Sequence, residues 1–265
     1  MIKISYIWHD CFLVETDEAS LVFDFWKDPT MAADSPRGSI PPFVSRLPKE
    51  KPLYVFVSHS HKDHFNTDIF SWAPLFADIR YIVSNDVWKR CRHIASETSV
   101  YKGTKVAPDR LTRLLNGESY TDARVKVEAY PSTDEGNSYM VTTGGKVIFH
   151  AGDLNAWVWK EESTVEEINK AIGDYKACLR SIRERDIDYA FFPVDSRLGK
   201  DYFLGAEMFV REFNVGHFFP MHFGLGDPAE QARYQADAVK FTLYANPSRG
   251  EYIPLTIPYT YFLGA

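Results

Sequence analysis

The segment LYVFVSHSHKDHF, residues 53–65, constrains this chain more than any other. It opens on an almost unbroken apolar run. Such a run fits a strand covered on both faces, the kind found at the centre of a parallel sheet flanked by helices. Directly after it, four of six consecutive positions carry metal-ligand side chains: His59, His61, Asp63 and His64. Residues two apart in an extended segment point the same way, so His59 and His61 can grip one cation. A turn into a helix would then send Asp63 and His64 elsewhere, to a second. Imidazole with carboxylate suits Zn, Fe, Mn or a similar divalent ion. The bland alternative is a polar loop with chance histidines, and ligand types this dense straight after a buried strand argue against it.

The flanking sequence reads as mixed strands and helices. ISYIW, CFLVET and SLVFDFW read as short strands before this segment. ARVKVEAY, NSYMVTT, KVIFHAG, DYAFFPV and HFFPM read as strands after it. SNDVWKRCRHIASE places Val87, Trp88, Cys91 and Ile94 at helical spacing. STVEEINKAIGDYKACLRSIRERD is the strongest helix, with Ser163 and Glu166 as a capping box and Val165, Ile168, Ile172, Tyr175, Leu179 and Ile182 as its apolar stripe. A last helix is predicted from Asp227-Pro228. Between Asp28 and Pro52 six prolines fall in a stretch without periodicity, as expected of a disordered segment or a lid over a site. CFLVETDEASLVFDF and SYMVTTGGKVIFHAGD share a layout of strand, polar turn, strand and acid. That echo fits two related halves, or a chance likeness of two hairpins.

Composition narrows the function classes. A net charge of -6 and no dense Lys/Arg run argue against a nucleic-acid partner. No apolar run approaches the roughly 18 residues of a membrane span, and no signal segment opens the chain. Three widely spaced cysteines, Cys11, Cys91 and Cys178, form no metal-type pair. The expectation is a cytoplasmic protein with reduced thiols and no membrane partner.

His59-Ser60-His61-Lys62-Asp63-His64 resembles the HxHxDH signature of the metallo-β-lactamase superfamily, and the likeness extends over nearly the whole chain. WHDCFLVET followed by LVFDFW is similar to the opening hairpin of the branch that includes ascorbate-phosphate lactonases. FHAGDLN resembles the later motif whose Asp, here Asp153, bridges both metals. PMHFG resembles the closing motif, whose His, here His222, completes the second metal site. The resemblance implies one domain over residues 1–265 with the α/β, four-layer αββα sandwich of this superfamily. It also implies one or two divalent ions, Zn ahead of Mn or Fe, and a metal-bound hydroxide acting on a small ester, lactone or phosphoester. The partner expected is a small-molecule substrate, and a homo-oligomer is compatible with the sequence.

Other residues carry weaker signals. His9 reads as a proton donor to the leaving group, a substrate contact or a structural histidine, and Asp24 as an acceptor orienting a ligand imidazole. Trp26, Trp157 and Trp159 could line a cleft, though such rings are more often core. Arg197 and Lys200, after Asp195, could hold a substrate anion, though a solvated charged loop is the commoner explanation. His93 and His217 read as structural, and His150 is unassigned. The family's third His for the first metal is missing from YPSTDEGNSY, where Asp134 is the best-placed substitute and a turn-capping role is the alternative. That departure keeps two rivals open: a di-iron redox protein, and a non-catalytic metal-binding or regulatory protein.

Overall fold

The computed structural model describes residues 2–222 and 259–263. The chain divides into two compact units, residues 1–115 with 257–265, and residues 116–256. The helix predicted from Asp227 lies outside the described residues.

The first unit is built on a seven-stranded mixed sheet: β1 (Ile2–Trp8), β2 (Cys11–Glu15), β3 (Ser20–Phe23), β4 (Leu53–Val57), β5 (Ile79–Val83), β6 (Leu111–Arg113) and, beside β1, β13 (Tyr259–Leu263). β1, β2 and β3 run antiparallel, and β3, β4, β5 and β6 run parallel. Every residue of β4 is buried, as its continuous apolar run requires. The predicted second helix is shorter than its sequence suggests: α2 covers Asn85–Cys91, although Ile94 beyond it is also buried.

The Pro-rich stretch is more than a surface loop. Pro41 and Pro42 open a short helix, α1 (Pro42–Arg46), where a missing N–H costs nothing. Phe43, Val44 and Leu47 are buried in the core of this unit. The Phe43 ring packs edge-on against Trp72 at 6.1 Å, and Phe25 lies between them at 5.9 and 5.0 Å. A lid that lifts as one piece from residue 28 to 52 is therefore replaced by a segment whose second half is anchored. Phe43→Ala should cost about 3–5 kcal/mol, the usual range for emptying a buried aromatic site. Urea unfolding of the variant would measure it, and a loss below about 1 kcal/mol would return the segment to surface decoration.

The second unit carries a six-stranded sheet in the order β12 (Asn214–Met221), β11 (Asp186–Pro193), β10 (Lys146–His150), β9 (Asn137–Thr143), β8 (Val125–Pro131) and β7 (Ser119–Thr121). β8, β9 and β10 are antiparallel, and β10, β11 and β12 are parallel. This is the direction pattern of β1 to β5. The echo between two hairpins is thus the visible part of a repeated strand topology.

Among the described residues, two α-helices accompany this sheet, α3 (Val165–Ser181) and α4 (Leu204–Glu212). The α3 capping box is Thr164 with Glu167, one residue later than predicted, and Val165 is 68% exposed rather than part of the buried stripe. Tyr175 and Leu179 are buried, and the Tyr175 hydroxyl donates to the Gly205 carbonyl at 2.7 Å. Gly205 permits the close approach of Asn155, whose Oδ1 a Cβ there would meet at 1.9 Å. Phe209 of α4 stacks on Phe149 and Phe192, at 5.1 and 4.7 Å, which fastens the helix to β10 and β11.

Candidate functional site

In the first unit the candidate residues follow the ends of β1, β3 and β4. His9 and Asp10 join β1 to β2, Asp24 follows β3, and Ser58 to His64 follow β4. His9 and Asp24 have φ of 54° and 43°, a left-handed backbone that ordinary side chains adopt only under constraint. Such local strain collects where a side chain must be aimed.

After β4 the chain runs extended to His61 and then turns, with the His64 and Phe65 N–H groups donating to the His61 carbonyl at 3.1 and 2.9 Å. His59 and His61 meet as alternation predicts: His59 Nε2 lies 3.0 Å from His61 Nδ1. Two nitrogens each about 2.0–2.1 Å from one ion would lie about 3 Å apart, so this spacing fits a shared cation. The His64 ring sits 4.0 Å, centroid to centroid, from that of His59, and Asp63 Oδ2 lies 3.6 Å from His9 Nε2.

Buried acids and a serine orient these rings. Asp24 Oδ2 lies 3.0 Å from His64 Nδ1, with Asp10 at 3.5 Å. Ser58 donates its N–H to Asp24 at 2.7 Å, and its hydroxyl lies 2.9 Å from His59 Nδ1. Fixing the outer ring nitrogen is how proteins aim a ligand imidazole. Burial would raise the Asp63 pKa, but the His9 hydrogen bond and the charges of His64 and His9 outweigh it and hold the carboxyl below its usual range.

In the second unit the donors follow corresponding strands. Asp134 lies between β8 and β9, Asp153 follows β10, Asp195 follows β11, and His222 follows β12. His222 Nε2 is 3.2 Å from Asp153 Oδ1, and its Nδ1 is 3.0 Å from Asp195 Oδ2. Asp134 and Asp153 each offer a carboxylate oxygen, within 4.8 Å of one another. The Asp134 N–H also donates to Ser132 Oγ at 3.3 Å, so the turn-capping geometry and the approach to Asp153 coexist.

Arg197 is engaged inside the chain rather than presented alone. Its Nε donates to both oxygens of Asp195, at 3.0 and 2.8 Å, and its NH2 group pairs with the same carboxylate. Burial would raise the Asp195 pKa, but hydrogen bonds from His222 and Arg197, with their charges, hold it well below the carboxylate range. Lys200 is exposed and lines, with Trp159, Lys160 and Arg197, a cavity of about 220 Å³. His217 stacks on Tyr189 at 5.2 Å, and His150 is buried, accepting the Gly152 N–H at 3.2 Å through Nδ1.

The sequence reading missed Ser58, Asp10, and Asp195 as the partner of His222. Two signals bore on them. Ser58 sits at the strand end beside His59, and Asp195 follows FFPV as Asp24 follows LVF.

The family model described as a β-lactamase superfamily domain matches residues 3–169. The chain belongs to the metallo-β-lactamase superfamily. Its resemblance to that superfamily and the mixed α/β class expected from it are both borne out. A curated metal-dependent hydrolase of Desulforamulus reducens is 29% identical over 164 residues, which is 57% of this chain and 61% of that relative. The match thus spans less than two thirds of the relative's length. A metallohydrolase of the archaeon Ignicoccus hospitalis shares the fold at 13% identity and a TM-score of 0.58, over 99% of both chains. A diiron β-hydroxylase of Streptomyces venezuelae shares it at 12% identity and a TM-score of 0.57, over 99% of this chain and 54% of that one. No helix among the described residues of this superfamily member is long and apolar enough to cross a membrane.

Proposed function

We propose that the chain is a metal-dependent hydrolase of a small ester, lactone or phosphoester. The observation that carries this reading is the His59–His61 pair at 3.0 Å, with the neighbouring His64 ring oriented by a buried acid. The candidate ligands are His59, His61, Asp63 and His64 in the first unit, and Asp134, Asp153 and His222 in the second. The divalent ions these residues would hold, one or two per chain, are Zn ahead of Mn or Fe. When bound, such ions lower the pKa of a water and polarise the substrate oxygen.

The protein's own groups do the rest. Asp63 and Asp153 supply negative charge that offsets the cations. Asp24 and Asp195 keep the rings of His64 and His222 in one orientation. His9 Nε2, 3.6 Å from Asp63 Oδ2, is the group that holds the proton destined for the leaving oxygen.

Metal analysis of the purified chain, followed by a hydrolase screen before and after chelation, tests the reading. Loss of activity on chelation and its return with Zn or Mn are expected. A metal-free protein after growth with added Zn, Mn and Fe would overturn it. Affinity should also depend on pH. The imidazoles bind metal only when neutral, so metal affinity should fall as the pH is lowered. A metal titration at pH 7.5 and pH 5 measures this, and equal affinities would contradict histidine ligation.

A second reading, a di-iron redox protein, is favoured by the carboxylate of Asp134 close to that of Asp153. Iron in place of zinc, with visible absorption that changes on reduction, would select it. A metal-loaded chain with neither activity would point to a binding or regulatory role.

A further inference from the structure

Six residues of the second unit make a closed circuit of contacts. Arg197 forks Asp195, and Asp195 Oδ2 lies 3.0 Å from His222 Nδ1. His222 Nε2 faces Asp153 Oδ1 at 3.2 Å, and the Asp153 carbonyl accepts the Trp157 indole N–H at 2.8 Å. Trp157 meets the edge of the His222 ring at 5.5 Å and lies nearly parallel to Trp159, 6.4 Å away and 6° from coplanar. The Arg197 guanidinium sits over Trp159 at 5.9 Å, which closes the loop.

Two backbone positions in this circuit are held in an unfavourable conformation. His222 has φ of 65° and Trp157 has φ of 43°. Neither is glycine, and a bulky ring in that region persists only when its surroundings over-determine it. The strain therefore belongs to the circuit, which fixes how the His222 imidazole presents itself.

We propose that Arg197 is a positioning residue that sets the orientation and tautomer of His222 through Asp195, with Trp159 supporting its guanidinium. A planar fork can hold both oxygens of a carboxylate in one plane, which a lysine ammonium cannot do. Asp195 so held accepts the proton of Nδ1, and His222 presents Nε2 toward Asp153. This assignment deepens the metal-dependent reading above, yet its core claim concerns the ring itself.

The test uses the full chain labelled with ¹⁵N-histidine, with and without added zinc. Long-range proton–nitrogen spectra distinguish the two imidazole tautomers, and His222 is identified by the signal lost in His222→Gln. The wild type is expected to show a single Nδ1–H tautomer for His222 in both states. Arg197→Ala should give a mixture and weaken zinc binding by about 10–100-fold, the usual cost of losing a partner behind a ligand. Arg197→Lys should recover only part of this, and Trp159→Leu should give a milder form of the same change. Arg197→Ala and Trp159→Leu proteins that fold with one unchanged tautomer and wild-type zinc affinity would overturn the proposal, as would an Nε2–H tautomer in the wild type. A wild type that binds no zinc would remove the hydrolase reading, while the tautomer in Arg197→Ala and Arg197→Lys would still decide the role of Arg197.

Discussion

Asp153→Ala is expected to leave a folded chain that binds divalent metal more than about 100-fold more weakly than the wild type. Losing a partner behind a ligand costs about 10–100-fold, and the loss of a ligand carboxylate should cost more. Asp153 is buried, its oxygen lies 3.2 Å from His222 Nε2, and it approaches Asp134 within 4.8 Å. A carboxylate so enclosed by other donors offsets cation charge, and cations deprived of it would repel one another. The fold should survive because the Asp153 side chain packs against polar donors and not in the apolar core. Asp153→Asn separates shape from charge and should resemble alanine if charge is what matters. Metal content after dialysis, with circular dichroism as the check on folding, measures the effect. Wild-type stoichiometry in both variants would remove Asp153 from the ligand set.

The parts of this protein that sequence revealed are those whose physics is local. An apolar run followed by alternating histidines needs no distant partner to be interpreted, and β4 with its following turn matches that reading. The hairpins β2–β3 and β9–β10 are equally local, and the acid after each is visible as Asp24 and Asp153. The misread cap of α3 shows the limit. Ser163 precedes Glu166 and Thr164 precedes Glu167, so two overlapping boxes are written in the same stretch. The reciprocal hydrogen bonds form at Thr164, one residue further along.

What stayed hidden depends on long-range contacts. Asp24 was legible as an acceptor for a ligand imidazole, but not the identity of that ring as His64, 40 residues on, and Asp195 holds His222 across 27. Neither pairing has a spacing that a periodicity could reveal. Arg197 pairs with Asp195 only two residues before it, and what the sequence does not show is that this carboxylate is buried. α4 went unread because Gly205, a poor helix former, sits in its first turn for the sake of packing against Asn155. Phe43 and Val44 looked like loop residues among prolines, and only tertiary packing makes them core.

Asp134→His is expected to shift the chain's metal preference further toward Zn, raising Zn affinity by at least about tenfold. Asp134 occupies the connection from β8 to β9, the counterpart in the repeated topology of the turn that carries His9 between β1 and β2. Its carboxylate lies within 4.8 Å of that of Asp153, so two anionic oxygens converge where a ring would bring only one anion and a neutral nitrogen. Oxygen donors suit the harder ions, and imidazole suits Zn. The extra negative charge would also offset more of the metal charge, which would leave a bound water less acidic and move the acid limb of any activity upward in pH. The histidine variant should reverse both effects. Asp134→Ala should lose up to one metal equivalent without unfolding, because the residue is exposed and its turn is also held through the backbone N–H to Ser132. Competition between Zn and Mn for the three proteins, read by metal analysis, decides the matter. If neither substitution changes stoichiometry or selectivity, Asp134 only caps its turn and the remaining donors hold whatever metal the chain takes.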